Sequence, residues 1–359
     1  MSKKNHLYVD IHVLQTVPPS CVNRDDTGSP KTAIYGGVRR ARVSSQAWKR
    51  AVRLAFREMY EPEDLGRRTK RIVRMVQKYI CTLGQEDKAE ELAVEVLKSV
   101  GLSINEKDLD KGTDALFFMS EAQAKALAEI AVNEPEKMKD KDACKAALKD
   151  KPSIDLALFG RMVASDPSLN YDAAAQVAHA ISTHSVQNEF DYFTAVDDLS
   201  PEDSAGAGHL GTVEFNSSTL YRYATVNVNE LRASLGEASA QAMRSFLEAF
   251  VSSMPTGKQN TFANRTLPDL VYVTVRRDQP VNLVGAFEQP VQAGRQGGYA
   301  EASCKRLAAY AEQVYARYAD APVAAWILGD EIDGAEALPL PRLLDAVEAF
   351  LAGEVKGDE

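Results

Sequence analysis

The sequence predicts an α+β fold: a ferredoxin-like, RRM-like sandwich interrupted by a large helical insertion and bearing a projecting hairpin-like element. Three observations lead there. β-prone segments stand near the start of the chain and again after residue 218, and each set is followed by a helical pattern. Between residues 61 and 185 the chain turns helix-rich, with charge clusters between the helical stretches. Between 186 and 218 two short β-prone arms flank SPEDSAGAG, a loop rich in turn-forming residues.

The elements follow in order. LYVDIHVLQ (Leu7 to Gln15) is dense in β-formers and alternates imperfectly, which predicts a strand. PPSCVNRDDTGSPKTAIYGG reads as a polar loop, and RRARVSS leads into a helix from about Gln46 to Tyr60. At about 100° per residue, Trp48, Ala51, Val52, Ala55 and Met59 share one face of that helix. Gln46, Lys49, Arg50, Arg53 and Arg57 fall nearly opposite. Within the insertion, EDKAEELAVEVLKSV, SEAQAKALAEIAV and DAAAQVAHAISTH read as amphipathic helices, and EPEKMKDKDACK as a charged connection. YFTAVDDL and HLGTVEF form the two arms of the projecting element. TLYRYATVNV reads as a strand, SAQAMRSFLEAFVSSM as a helix, DLVYVTVRR as a strand and SCKRLAAYAEQVYARYA as a helix. Without the insertion, the order is strand, helix, hairpin or strand, strand, helix, strand. The resulting division is 1–60 and 219–359 for the sandwich, 61–185 for the insertion and 186–218 for the arm.

Composition narrows the function classes. A chain of 359 residues with 45% apolar content has room for two domains, or one with a large insertion. No run of about 18 apolar residues occurs, so no transmembrane helix is expected. The opening MSKKNHLYVDIHVLQ turns acidic and histidine-bearing where a signal peptide needs its apolar run, so cytoplasmic residence is the expectation. Cys21, Cys81, Cys144 and Cys304 are scattered, without a CxxC pair, and predict no zinc site. A net charge of -9 argues against a general nucleic-acid coat, but phosphates respond to charge within a Debye length, so a local basic groove stays open.

Such a groove has a candidate. From Thr27 to Arg57 there is no acidic residue, against eight basic ones: Lys31, Arg39, Arg40, Arg42, Lys49, Arg50, Arg53 and Arg57. Lys49, Arg53 and Arg57 recur at i, i+4 and i+8, along one helical ridge. Two readings stand: a solvated helix face, or a track for a phosphate backbone, which needs spaced cations and no sequence code. GGVRR is not a P-loop, because GxxxxGK[ST] and GxGxxG are both absent. His179 and His184 are five apart and do not stack as in HExxH; they, His12 and His209 are read as structural. No GxSxG elbow or catalytic-cysteine signature is present. Asp197 and Asp198 stand without an accompanying carboxylate cluster, so no catalytic residue and no metal or other cofactor is assigned. In the same arm Tyr192, Phe193 and Val196 either wedge between stacked bases or anchor the arm to its own core.

Three segments carry a specific resemblance. NRDDTGSPKTAIYGGVRRARVSSQAWKR, HAISTHSVQNEFDYFTAVDDL and HLGTVEFNSSTLYRYATVNV, in that order, resemble the CasC-type backbone subunit of the type I-E CRISPR effector complex, Cascade. The likeness runs from about Val9 to Val275 and more weakly beyond. It implies a right-hand-like subunit with an RRM-like palm, helical fingers (61–185) and a thumb (186–218). It also implies a non-catalytic subunit that polymerises with copies of itself along a crRNA, whose guide segment pairs with target DNA in antiviral defence. The implied companions are a 5'-handle subunit, a 3'-hairpin processing endoribonuclease, a large target-recognition subunit and small subunits, with no membrane.

Carried over by position, the guide-binding residues are Arg24, Lys31, Ser44, Ser45, Gln46, Lys49, Arg50 and Arg53, supported by Arg39, Arg40 and Arg42. Met162 and the thumb residues Tyr192, Phe193 and Val196 correspond to base-stacking or kink-stabilising positions. The amino end of the basic helix also suits phosphate. Type III relatives cut RNA with a backbone-subunit aspartate; no matching motif transfers that role to Asp25, Asp26 or another carboxylate. A metal-dependent RNA-cleaving subunit is the alternative reading.

Overall fold

The computed structural model describes residues 6–105, 107–108, 110, 112–195 and 209–356. The chain forms two compact units. The first comprises 1–52, 177–225 and 246–347; the second comprises 53–176, 226–245 and 348–359. The divisions fall at 52/53, 176/177, 225/226, 245/246 and 347/348.

The first unit opens on β1 (Tyr8–Ser20), a 13-residue strand that runs through Pro18 and Pro19, the first two prolines of the stretch read as loop. β2 (Thr32–Tyr35) and β3 (Val38–Val43) pair antiparallel around Gly36 and Gly37, so part of that loop, and RRARV after it, is a hairpin. Both glycines have positive φ, which the two-residue turn demands. α1 (Ser45–Met59) begins here and continues into the second unit. Trp48, Ala51, Val52 and Phe56 are its buried residues, whereas Met59, placed on the apolar face by periodicity, is 36% exposed.

In the second unit, the short strands β4 (Arg67–Thr69) and β5 (Phe117–Met119) pair antiparallel. Around them pack α2 (Ile72–Thr82), α3 (Ala89–Ser99), α4 (Glu121–Asn133), α5 (Lys141–Ala147) and α6 (Ile154–Phe159). Ile72, Val73, Val76 and Ile80 of α2 meet Val96 and Leu97 of α3 and Leu127 of α4 in one core. Each such side chain contributes about 1.5–3 kcal/mol by leaving water. Ser120 and Gln123 close a reciprocal capping box at the start of α4. EPEKMKDKDACK is not a bare connection: a 3-10 turn and α5 occupy it, and Asp140 caps α5.

DAAAQVAHAISTH is not a helix. It forms β6 (Ala175–Val177) and β7 (Ala180–Ser182). Its alanine content favours a helix locally, but Ile181 is paired to Arg42 on one side and Tyr221 on the other, and that ladder overrides propensity. β8 (Glu189–Ala195) and β9 (His209–Asn227) follow; HLGTVEF and TLYRYATVNV are one continuous strand of 19 residues. Then come α7 (Val228–Leu235), α8 (Ser239–Ser252), α9 (Gln259–Phe262), β10 (Leu270–Arg276), α10 (Ala300–Arg317), β11 (Ala324–Leu328), β12 (Glu336–Ala337) and α11 (Leu340–Lys356).

The main sheet has the order β12-β11-β10-β1-β9-β7-β3-β2, with β8 added antiparallel to β9. β1 sits at its centre and is buried on both faces from Val9 to Leu14. That makes the polar residues on β1 costly. Asp10 accepts from Tyr223 Oη (2.9 Å) and Val281 N (2.8 Å), and burial still pushes its carboxyl up to about 6. His12 lies among Tyr221, Tyr223 and Tyr272, with Nδ1 2.9 Å from Tyr221 Oη; burial, then Arg276, lowers it to about 3.

A neutral His12 has a measurable consequence. Its folded pKa lies below the ordinary 6.5, so its share of stability is whole above pH 6.5 and is lost as pH falls toward 3. Asp10 acts in the opposite sense, adding stability that fades as pH rises from 3.8 through about 6. Comparison of urea unfolding for the wild type and His12→Gln isolates the histidine. The variant gains on the wild type by up to about 1.4 kcal/mol per pH unit below pH 6.5. A pH-independent difference contradicts a buried neutral imidazole.

Candidate nucleic-acid interface

In the first unit, a tight loop holds the first basic residues. Asp25 Oδ1 accepts from Thr27 N, Thr27 Oγ1 and Ser29 N, and these bonds hold its carboxyl below the usual range. Lys31 N donates to Asn23 O, and Asn23 Oδ1 accepts from Ser44 N, so the loop is tied to the entry of α1. A small recess there is lined by Asn23, Lys31 and Arg42 among others. Arg24 and Arg39 are exposed, as is Arg50 on α1, and none of the three has an ion pair among the described residues. α1 carries no acidic side chain in its first turn, so its amino end keeps its positive dipole. Ser44 is buried and caps Ala47 N, Ser45 is partly exposed, and Gln46 is exposed. Lys49 is half-buried, and desolvation lowers its pKa.

Two of the basic candidates are engaged internally. Arg40 is fully buried: Nε donates to Tyr35 O (3.1 Å), Nη1 to Ser182 O (2.9 Å) and Nη2 to Phe287 O (2.9 Å) and Glu288 O (3.2 Å). It stitches β3 to β7 and to the segment before α10, and offers nothing to a phosphate. This corrects its placement among the guide-binding residues. Arg42 is partly exposed, donates from Nε to Thr32 O and lies 3.2 Å from His179 Nδ1.

The arm is a real hairpin: Phe193 pairs with Gly211 and Glu189 with Phe215 across β8 and β9. The Phe193 ring covers Gly211, where a Cβ would stand 2.3 Å from the ring, yet 40% of the residue remains exposed. Phe193 therefore anchors its own hairpin while keeping one surface open. Tyr192 is 65% exposed and Phe190, two residues earlier on the same side, 66%; the sequence reading missed Phe190. Val196, Asp197, Asp198 and the loop through Gly208 lie outside the described residues. His184 is structural: it stacks on Tyr299 with centroids 3.6 Å apart and accepts from Thr219 N.

In the second unit, Arg53 is gripped from below. Its Nε donates to Asp155 Oδ2 (3.0 Å), Nη2 to Gly66 O (3.3 Å), and its guanidinium lies 4.5 Å from the Phe118 centroid. Asp155 is buried and also accepts from Gly66 N (2.7 Å) and Ser153 Oγ (2.8 Å). Met162 is 85% exposed, directly after Arg161, which is buried and donates to Phe118 O, Leu169 O and Leu148 O. The thioether thus projects from a fixed loop, suited to stacking on a flat partner. A cleft of about 720 Å³ in this unit is lined by Arg53, Arg57, Arg67, Arg68, Arg71, Arg74 and Lys78. Apart from Arg53 and Arg57, these cations were not among the sequence candidates, although no acidic residue stands between Asp64 and Glu86. Among the described residues no cluster of His, Cys, Asp or Glu is placed to hold a metal ion.

A family model described as "CT1975-like protein" matches residues 9–346. The chain belongs to the CT1975-like family. Among solved structures, a chain of "CRISPR RNA-guided surveillance complex, pre-nicking" is 35% identical, with a TM-score of 0.80 over 96% of this CT1975-like chain and 100% of the other. A chain of "CRISPR RNA-guided surveillance complex" is 32% identical, with a TM-score of 0.63 over 96% and 99%. No curated protein matches. These matches agree with the resemblance carried by the three sequence segments.

The grip on Arg53 is testable in this CT1975-like protein. Asp155→Ala strands Arg53 and the buried Gly66 N–H, so stability falls by about 2–4 kcal/mol. A shift in the urea midpoint measures it. An unchanged midpoint means that the Arg53 head finds its support elsewhere.

Proposed function

We propose that this CT1975-like protein is a non-catalytic, crRNA-binding backbone subunit of a type I-E CRISPR surveillance complex. In this reading, copies polymerise along the guide and present it for pairing with target DNA. The observation that carries the reading is the 35% identity and 0.80 TM-score, over 96% of the chain, to a surveillance-complex chain.

The local chemistry supports it. The strand sequence β1, β7, β9, β10 lies in the spatial order β10-β1-β9-β7, with α1 and α8 as the intervening helices, as an RRM-like palm requires. LYVDIHVLQ offers only Tyr8 as a sheet aromatic, and β1 is covered on both faces. Base stacking on an open sheet is therefore not the mode. Instead Arg24, Lys31, Arg39, Arg42 and Arg50, with the amino end of α1, hold the guide backbone. Tyr192, Phe193 and Met162 supply flat or polarisable surfaces where bases leave the stack. Sequence is read by pairing, so the protein needs no base-edge donors.

The cleanest test reverses exposed, unpaired cations. Arg39→Glu with Arg50→Glu removes two backbone contacts and leaves the buried face of α1 intact. The affinity for guide RNA falls, and the slope of log affinity against log salt becomes shallower by about 1.4, roughly 0.7 for each phosphate lost. Native circular dichroism with unchanged RNA affinity at every salt concentration contradicts the assignment.

A further inference from the structure

We propose that the second unit contains a separate phosphodiester-binding cleft, built by Arg57, Arg67, Arg68, Arg71, Arg74 and Lys78. The reading above is needed only to say which strands are offered to it. Arg71, at the N-cap of α2, and Arg74 and Lys78 within it are all exposed, whereas Ile72, Val73, Val76 and Ile80 are buried. Arg68 is fixed opposite Phe118 by the β4–β5 ladder, and Arg57 reaches the same cleft from the last turns of α1.

The ion pairs within the unit do not neutralise this surface. Glu121, the one carboxylate of the lining, is buried; it accepts from Arg67 Nε (2.7 Å) and Tyr79 Oη (2.9 Å) and lies 3.8 Å from Lys78 Nζ. It therefore orients cations from the floor of the cleft. Glu90 accepts from Arg74 at 3.0 Å, whereas Asp110 stands 3.8–3.9 Å from Arg74 and Arg71, and exposed pairs at that range hold little energy. Arg57 and Arg68 have no ion pair among the described residues. Seven cations, Arg53 included, line the cleft against one lining carboxylate, the buried Glu121.

The dimensions choose the ligand class. A cleft of about 720 Å³ lies in the range of pockets for organic ligands, roughly 300–1,000 Å³, well beyond one inorganic anion. Arginine dominates over lysine, and its planar fork matches phosphate oxygens. Leu65, Met75 and Tyr60 supply apolar lining beside the charge, suited to sugar and base. A phosphodiester strand meets all three features.

The test uses the complex assembled on guide RNA from Arg68→Glu with Arg71→Glu subunits, with Arg39 and Arg50 intact. Filter binding across a salt series has two arms: guide RNA during assembly, and a complementary DNA strand offered to the assembled complex. A roughly tenfold loss in either arm, with a slope shallower by about 1.4, is expected. The arm that moves identifies the strand as RNA or DNA. If the reversal fails to fold, Arg68→Gln with Arg71→Gln removes the charge without repulsion and takes the same test. Unchanged affinity and slope in both arms, with a native melting curve, overturn the cleft. That result leaves the proposed function standing if Arg39→Glu with Arg50→Glu still loses RNA.

Discussion

The first unit depends on one buried cation. Arg222 of β9 is 1% exposed, with its guanidinium 3.7 Å from the Trp48 ring centroid and 4.6 Å from that of Phe250. Nη1 donates to Gln15 Oε1 at 2.6 Å and Nη2 to the Phe250 carbonyl. Burial lowers its pKa to about 9, which still leaves it charged at neutral pH, and no carboxylate faces it among the described residues. Its compensation is aromatic and carbonyl, and desolvated cation–π contacts contribute about 2 kcal/mol or more. By holding Trp48, Arg222 sets the rotation of α1 about its axis, and with it the outward direction of Arg50. The same 19-residue strand carries Gly211 and the partner side of the hairpin arm. One strand therefore carries both the arginine that packs on the basic helix and one side of the arm.

Arginine thus has two uses in an acidic chain. Arg40, Arg161, Arg222 and Arg276 are buried and donate mainly to carbonyls, with Asp278 also pairing Arg276. Arg24, Arg39, Arg50, Arg57 and Arg68 are exposed. Only exposed cations are placed to meet a polyanion, and because charge acts within a Debye length the whole-chain net charge of -9 does not exclude such a contact. Counting basic residues in a sequence window overstates the surface charge, here by Arg40.

Periodicity made the helices and the central strands legible. α1, α4, α8, α10 and β10 carry patterns that agree with their packing. β6 and β7 are three residues long and pair with strands far away in sequence, so no local pattern marks them, whereas β2 and β3 pair with each other around Gly36 and Gly37, a local turn that was read as part of a loop. The burial of Arg40 is equally remote in origin, because Ser182 and Phe287 stand 142 and 247 residues away. The cations of the proposed guide track were legible as candidates because a phosphate track needs only spacing and absence of acids. The cleft around Arg68 and Arg71 was missed because its residues were read as part of a helical insertion with a solvated surface.

The central claim is that the basic loop, the start of α1 and the exposed aromatics of the arm touch the guide. Ultraviolet crosslinking of the co-purified RNA, with the modified peptides mapped by mass spectrometry, tests it most directly. The account predicts crosslinks on peptides that contain Arg24, Lys31, Arg50, Tyr192 and Met162. Crosslinks confined to the acidic rim around Glu301, Glu312 and Asp330, with none on those peptides, would contradict it.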